Sequence, residues 1–165
     1  MPFRFIIFAL FSIIILTGCT KTYECEDLQI RPAFINYLPS DIDSFTLRKY
    51  KAGNNYQTLI DSLVVIQGSQ SYYQTSNDTT SILVTDGKNG IKAGFDWQIY
   101  IRAKNKTVLI SDIVSENKRG KRGYGIFSMD PGPGCTNSVI SLKVNGQLVI
   151  FSALPYDNPL IFIRN

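Results

Sequence analysis

Along most of the chain, apolar side chains recur at every second position in short runs, and turn residues separate one run from the next. A period of two marks half-buried strands, because successive side chains of a strand point to opposite faces. The clearest run is FDWQIYIRA. Phe95, Trp97, Ile99, Ile101 and Ala103 face one way, and Asp96, Gln98, Tyr100 and Arg102 the other. A helix would scatter those residues around its circumference, so the run reads as a strand with Trp97 in the core. DSFTLRKY alternates in the same way, with Phe45 and Leu47 opposite Thr46 and Arg48.

Further strands are expected over residues 28–37, 58–66, 81–85, 107–114, 139–144, 147–151 and 160–163. Pro32 marks the first of these as an edge strand or a bulge, since proline donates no ladder hydrogen bond. Gly53-Asn54-Asn55 and Asp86-Gly87-Lys88-Asn89-Gly90 read as turns, and Lys104-Asn105-Lys106 as the turn of a hairpin. Asn145-Gly146 lies between two alternating runs, which is the signature of a type I′ hairpin. Short strands at roughly ten-residue spacing, without a convincing amphipathic helix, predict an all-β, antiparallel immunoglobulin-like β-sandwich. An up-and-down β-barrel is the alternative.

The first eighteen residues break this pattern. Arg4 is their only charge, and the stretch from Phe5 to Leu16 is almost wholly apolar. That describes a secretory leader, too short for the roughly 20 residues of a membrane span. It ends in Leu16-Thr17-Gly18-Cys19, which resembles the lipobox of bacterial lipoproteins. The resemblance implies cleavage before Cys19 and acylation of that cysteine, so the protein is held on a membrane by lipid. The organisation expected is a leader over 1–18, a polar lipidated tether over 19–27, and a sandwich domain over 28–165.

Composition changes meaning once the leader is set aside. The remaining 147 residues carry 16 basic and 13 acidic side chains and all nine tyrosines. A chain of that length buries about 68–70% of its unfolded surface, enough for its own core. Cys25 and Cys135 are left as an even pair in an exported chain, which predicts a disulfide. The sequence has no histidine, which excludes Ser-His-Asp and Cys-His nucleophile systems and HExxH zinc sites. Two cysteines alone do not make a metal site, and neither a metal nor a cofactor is expected.

From about Asp41 onward the chain resembles the small immunoglobulin-like lipoproteins common in Bacteroidota. The likeness rests on Leu38-Pro39-Ser40-Asp41-Ile42-Asp43-Ser44-Phe45 with Leu47-Arg48-Lys49-Tyr50, and on Gly94-Phe95-Asp96-Trp97-Gln98-Ile99-Tyr100-Ile101. It also rests on Cys135-Thr136-Asn137-Ser138 before the Asn145-Gly146 hairpin. It implies an outer-membrane lipoprotein, periplasmic or surface-exposed, and no assigned activity. In that group Asp61-Ser62-Leu63 and Asp78-Thr79-Thr80 resemble O-glycosylation sites, making Ser62 and Thr79 candidate acceptors.

Two residue sets suggest a binding role. Lys118, Arg119, Lys121 and Arg122 stand within five positions and carry the whole positive excess of the mature chain. Glycines among them suggest a mobile loop or hairpin tip, suited to lipid headgroups, an anionic glycan or an acidic envelope protein. A solvated tip protecting a sheet edge has the same composition. Nucleic acid is not expected, because no recognition motif accompanies the charges. Tyr72, Tyr73, Tyr100 and Tyr124 are candidate stacking residues for a glycan, although cross-strand pairing also places tyrosines on sheets. Asp41, Asp43 and Asp78 look like turn residues that cap their own backbone. No carboxylate pair has the flanking signature of a hydrolase, so the expectation is a non-enzymatic interaction or structural module. A glycan- or small-ligand-binding lipoprotein is the alternative, and a small hydrolase comes third.

Overall fold

The computed structural model describes residues 19–69, 71–85, 90–124, 135–152 and 159–165. The apolar leader over 1–18, the centre of the 86–90 turn and the Asp130-Pro131-Gly132-Pro133-Gly134 stretch lie outside these residues. So do the side chains of Cys19, Lys21, Tyr72, Lys121, Arg122 and Tyr124. The described strands are β1 (Cys19–Glu24), β2 (Glu26–Asp27), β3 (Arg31–Ile35), β4 (Ser44–Lys51), β5 (Leu59–Ile66), β6 (Ser71–Ser76) and β7 (Thr79–Val84). They continue as β8 (Phe95–Ile101), β9 (Lys106–Ser115), β10 (Arg119–Tyr124), β11 (Thr136–Asn137), β12 (Val139–Val144), β13 (Gln147–Ile150) and β14 (Leu160–Arg164). No helix among the described residues is long and apolar enough to cross a membrane.

The chain divides into two compact units, one of Asp27–Glu116 with Asn137–Asn165 and one of the preceding segment with Asn117–Thr136. The larger unit is the sandwich. A six-stranded sheet in the order β13-β12-β9-β8-β4-β5 faces a four-stranded sheet in the order β14-β3-β7-β6. The strands therefore fall into two ladders, and the all-β immunoglobulin-like sandwich is the architecture found. A barrel would need one continuous ladder.

Alternation in β4 and β8 builds the core as the sequence pattern requires. Phe45 and Leu47 of β4 and Trp97, Ile99 and Ile101 of β8 are all buried. The Trp97 indole N–H donates to the Lys92 carbonyl at 3.0 Å, which satisfies the one polar atom of a large buried ring. Phe34 of β3 meets Phe45 of β4 with ring centroids 5.7 Å apart, joining the two sheets. Asn145 (φ 48°) and Gly146 (φ 81°) take the left-handed conformations of the expected hairpin between β12 and β13.

Three expectations need correction. β3 is an inner strand, parallel to β14 on one side and antiparallel to β7 on the other. Pro32 is tolerated because the ladder with β7 begins only at Ala33, paired with Ser81. The neighbouring Arg31 N–H points the other way and donates to the Pro159 carbonyl at 2.8 Å. Residues 71–76, not foreseen as a strand, form β6 and make a hairpin with β7 around Asn77 (φ 53°) and Asp78.

The third correction concerns the smaller unit. The segment expected as a tether is strand β1, and the basic segment expected as a loop or tip is its antiparallel partner β10. The register pairs Cys19 with Tyr124, Lys21 with Arg122, Thr22 with Lys121 and Glu24 with Arg119. The Cys25 N–H extends the ladder by donating to the Lys118 carbonyl at 3.2 Å. Cys25 and Cys135 form the expected disulfide within this unit, with Cα atoms 5.0 Å apart. Both strands are polar on both faces, so apolar alternation left no trace of them.

Candidate functional site

The outward positions of β4 and β8 are the even-numbered ones, opposite the core-facing Phe45, Leu47, Trp97 and Ile99. Their cross-strand pairs are Thr46 with Tyr100, Arg48 with Gln98, and Tyr50 with Asp96. The outer face of the six-stranded sheet therefore carries two tyrosines, an arginine and a glutamine in adjacent rungs. Gln98 binds them together. Its Oε1 accepts from Arg48 Nη1 at 3.0 Å and from the Tyr50 hydroxyl at 3.1 Å. This leaves the Gln98 amide N–H groups as donors for a ligand. The Arg48 guanidinium also lies 5.8 Å from the centroid of the Tyr100 ring, and the Tyr100 hydroxyl donates to Asn105 Oδ1 at 3.2 Å.

The loop between β4 and β5 adds a third ring. Gly53, Asn55 and Tyr56 all have positive φ, at 69°, 45° and 58°. This brings Tyr56 edge-on to Tyr50, with centroids 5.4 Å apart. A bulky residue in the left-handed region is strained and persists only where its surroundings hold it. Here Asp96 supplies one hold, since its Oδ2 accepts the Gly53 N–H at 2.9 Å while the residue is only 3% exposed. The edge-on contact with the Tyr50 ring supplies another. Burial pushes the Tyr56 hydroxyl above its ordinary pKa, against the lowering by Ser111, and the charges of Asp96 and Asp112 push it further up. The ring therefore stays neutral across the physiological range. Beside it, Lys143 and Asp112 pair at 2.8 Å, whereas Arg48 forms no ion pair among the described residues.

The arrangement gathers three half-buried tyrosine rings with planar hydrogen-bonding groups and an arginine that has no ion pair among the described residues. Sugars offer the complement: apolar C–H faces on each ring, hydroxyls at the edges, and in acidic sugars a carboxylate or sulfate. Paired N–H donors on a guanidinium suit such an anion in a two-point contact.

Of the residues singled out in the sequence, Tyr100 stands in this site. Tyr73 does not. Its side chain is packed against the core, its hydroxyl donates to the Ile42 carbonyl at 3.0 Å, and burial pushes its pKa up to about 12. Tyr72 precedes it in β6, and its side chain lies outside the described residues. Tyr124 ends β10 in the smaller unit, which also holds Lys118, Arg119, Lys121 and Arg122. Lys118 and Arg119 are exposed. Ser62 is exposed on β5 in the rung of Arg48, and its N–H is bonded by Asp61 Oδ1 at 2.7 Å. Thr79 is half-buried beside the Asn77-Asp78 turn, with its hydroxyl donating to Asp78 Oδ1 at 3.3 Å.

Tyr50 and Tyr56 were not foreseen as site residues. The alternation of β4 carried the signal for Tyr50, two positions beyond Arg48 on the outward face. Nothing in an asparagine-rich turn announced that Tyr56 folds back over the sheet. Elsewhere, a groove of about 390 Å³ opens between β13 and β14, lined by Val149, Ile161, Phe162 and Arg164 among others. The edge strand β5 exposes Leu59, Ile60, Val64 and Ile66. No group of His, Cys, Asp or Glu among the described residues has the arrangement of a metal site. In comparison with known proteins, no protein-family model, no curated protein and no solved structure matches the chain.

Proposed function

We propose that the protein is an exported, lipid-anchored and non-enzymatic binding module of the outer membrane, and that its sandwich recognises an acidic glycan. The observation that carries the glycan reading is the cluster of Tyr50, Tyr56 and Tyr100 around Arg48 and Gln98 on one sheet face. Asp96, the buried carboxylate among the described residues, is engaged by the Gly53 backbone. That use supports a structural role for it over an acid–base one. Export and anchoring are supported by the apolar leader ending at Cys19 and by the disulfide, a bond that persists in oxidising compartments. The small immunoglobulin-like lipoproteins of Bacteroidota remain the family the sequence resembles.

A glycan array tests this with the unlipidated body, residues 19–165 with Cys19→Ser. Binding to uronate- or sulfate-bearing glycans is expected. The Tyr50→Ala, Tyr100→Ala double variant is expected to weaken binding at least tenfold, through loss of stacking of about 1 kcal/mol per ring. Arg48→Gln is expected to remove the preference for acidic over neutral sugars. Absence of hits, or hits unchanged in both variants, contradicts the reading.

A further inference from the structure

The register of β1 with β10 gives the basic segment a second role. Strands rise about 3.4 Å per residue, so distance from the lipid attachment point can be read along the ladder. Lys21 and its partner Arg122 stand two rungs from Cys19, about 7 Å along the strand, and Lys121 stands opposite Thr22 one rung further. The acidic Glu24, paired with Arg119, comes five rungs away, about 17 Å. The small sheet is thus polarised. Its first four rungs from the acylated end hold three positive residues and no negative one, and the one acid of the ladder, Glu24, is matched by Arg119 in its own rung. The disulfide Cys25–Cys135 and the Cys25 N–H to Lys118 carbonyl bond close the far end of the same ladder.

We infer that the Cys19 end of the β1–β10 sheet is a membrane-contact surface, in which Lys21, Lys121 and Arg122 bind the phosphates of anionic lipid headgroups around the acyl anchor. The inference rests on the reading of Cys19 as the lipid attachment site. It changes the meaning of the basic segment: the charges serve the membrane that holds the protein, and the glycan face on the sandwich has Arg48 as its own cation. Acyl chains at Cys19 enter the bilayer, and the register keeps these basic residues within three rungs of that point. A polybasic patch beside a lipid is also a recognised way to strengthen a membrane anchor.

The mature chain with Cys19→Ser, which has no acyl group of its own, isolates the headgroup interaction. Partitioning is measured by sedimentation at low ionic strength with vesicles of phosphatidylcholine alone and with one third phosphatidylglycerol. Preference for the anionic vesicles is expected, lost as salt is raised to about 0.5 M, where screening is nearly complete. Combining Lys21→Ser, Lys121→Ser and Arg122→Ser is expected to lower the partition coefficient on the order of 100-fold, from the usual contribution per basic residue near an anionic surface. Removing two exposed charges of the sandwich instead, with Lys51→Ser and Arg102→Ser, is expected to change it less than about twofold. The salt titration of the unmutated charges needs no variant to fold. Equal partitioning on the two vesicle types, or an equal loss in the sandwich variant, overturns the inference. So does displacement from the vesicles by a soluble uronate polymer acting through the same three residues with higher affinity. The acyl mass on the Cys19 peptide of the native protein is determined separately. Its absence overturns the anchor reading, whereas acyl mass without vesicle preference overturns only the headgroup surface.

Discussion

Tyr73 shows how one side chain can leave a binding surface and become part of the core. Its hydroxyl is bonded to the Ile42 carbonyl, and burial holds its proton to about pH 12. The linkage has a definite sign. Between pH 10 and 12 the unfolded phenol ionises while the folded one stays protonated, so the contribution of Tyr73 to stability is complete below pH 10 and is lost as pH rises to about 12. Tyr73→Phe is expected to cost about 1 kcal/mol at neutral pH, the value of one hydrogen bond. It is also expected to flatten the decline in unfolding midpoint over that alkaline range, measured by denaturant titration at several pH values.

Asp96 gives the complementary case of a polar residue buried on an outward face. It reads in the sequence as a solvated strand position, and the Gly53 loop folding over it was not legible there. Asp96→Ala leaves the Gly53 N–H without its acceptor and is expected to destabilise the fold by about 1–3 kcal/mol. Amide exchange over residues 52–58 should accelerate with it. Asp96→Asn keeps an acceptor and is expected to retain most of the loop protection.

At the scale of elements, legibility followed the hydrophobic alternation. β4, β8, β12, β13 and β14 declare themselves because one face of each is apolar, and the Asn145-Gly146 turn declares its hairpin through residues that accept positive φ. A Cβ at Gly146 would meet nothing within 4 Å, so Gly146→Ala carries only the conformational cost of φ 81°. About 1–2 kcal/mol is expected, read from the denaturation midpoint.

β6, β1 and β10 were missed for one physical reason. SYYQTS, CTKTYE and RGKRGY carry too few apolar residues at alternate positions to mark a face. Their pairing depends on neighbours: a tight turn to β7 for the first, and the Cys25–Cys135 bond beside the other two. Replacing both cysteines by serine removes a cross-link spanning 110 residues. A loss of about 4–5 kcal/mol is expected from chain entropy. Hydrogen exchange should show β1 and β10 losing protection first, with β8 amides retaining it.

At the scale of the whole molecule, the two compact units divide the work. The smaller carries Cys19, the proposed lipid attachment residue, with the basic strand and the disulfide, and the larger carries an outer sheet face of rings and planar donors. The sequence disclosed the class of fold, which is written in local patterns. Of the proposed ligand face it singled out only Tyr100, because a face is assembled from residues distant in the chain: Arg48 and Gln98 are 50 positions apart. The glycan face is the central claim.

The most direct measurement is an amide chemical-shift titration of the isotope-labelled Cys19→Ser body with a galacturonate trisaccharide. Saturable shifts are expected, clustered at Arg48, Tyr50, the 53–57 loop, Gln98, Tyr100 and Ser111, and abolished by Arg48→Gln with Tyr50→Ala. Shifts confined to β1 and β10, or none up to millimolar sugar, would contradict it.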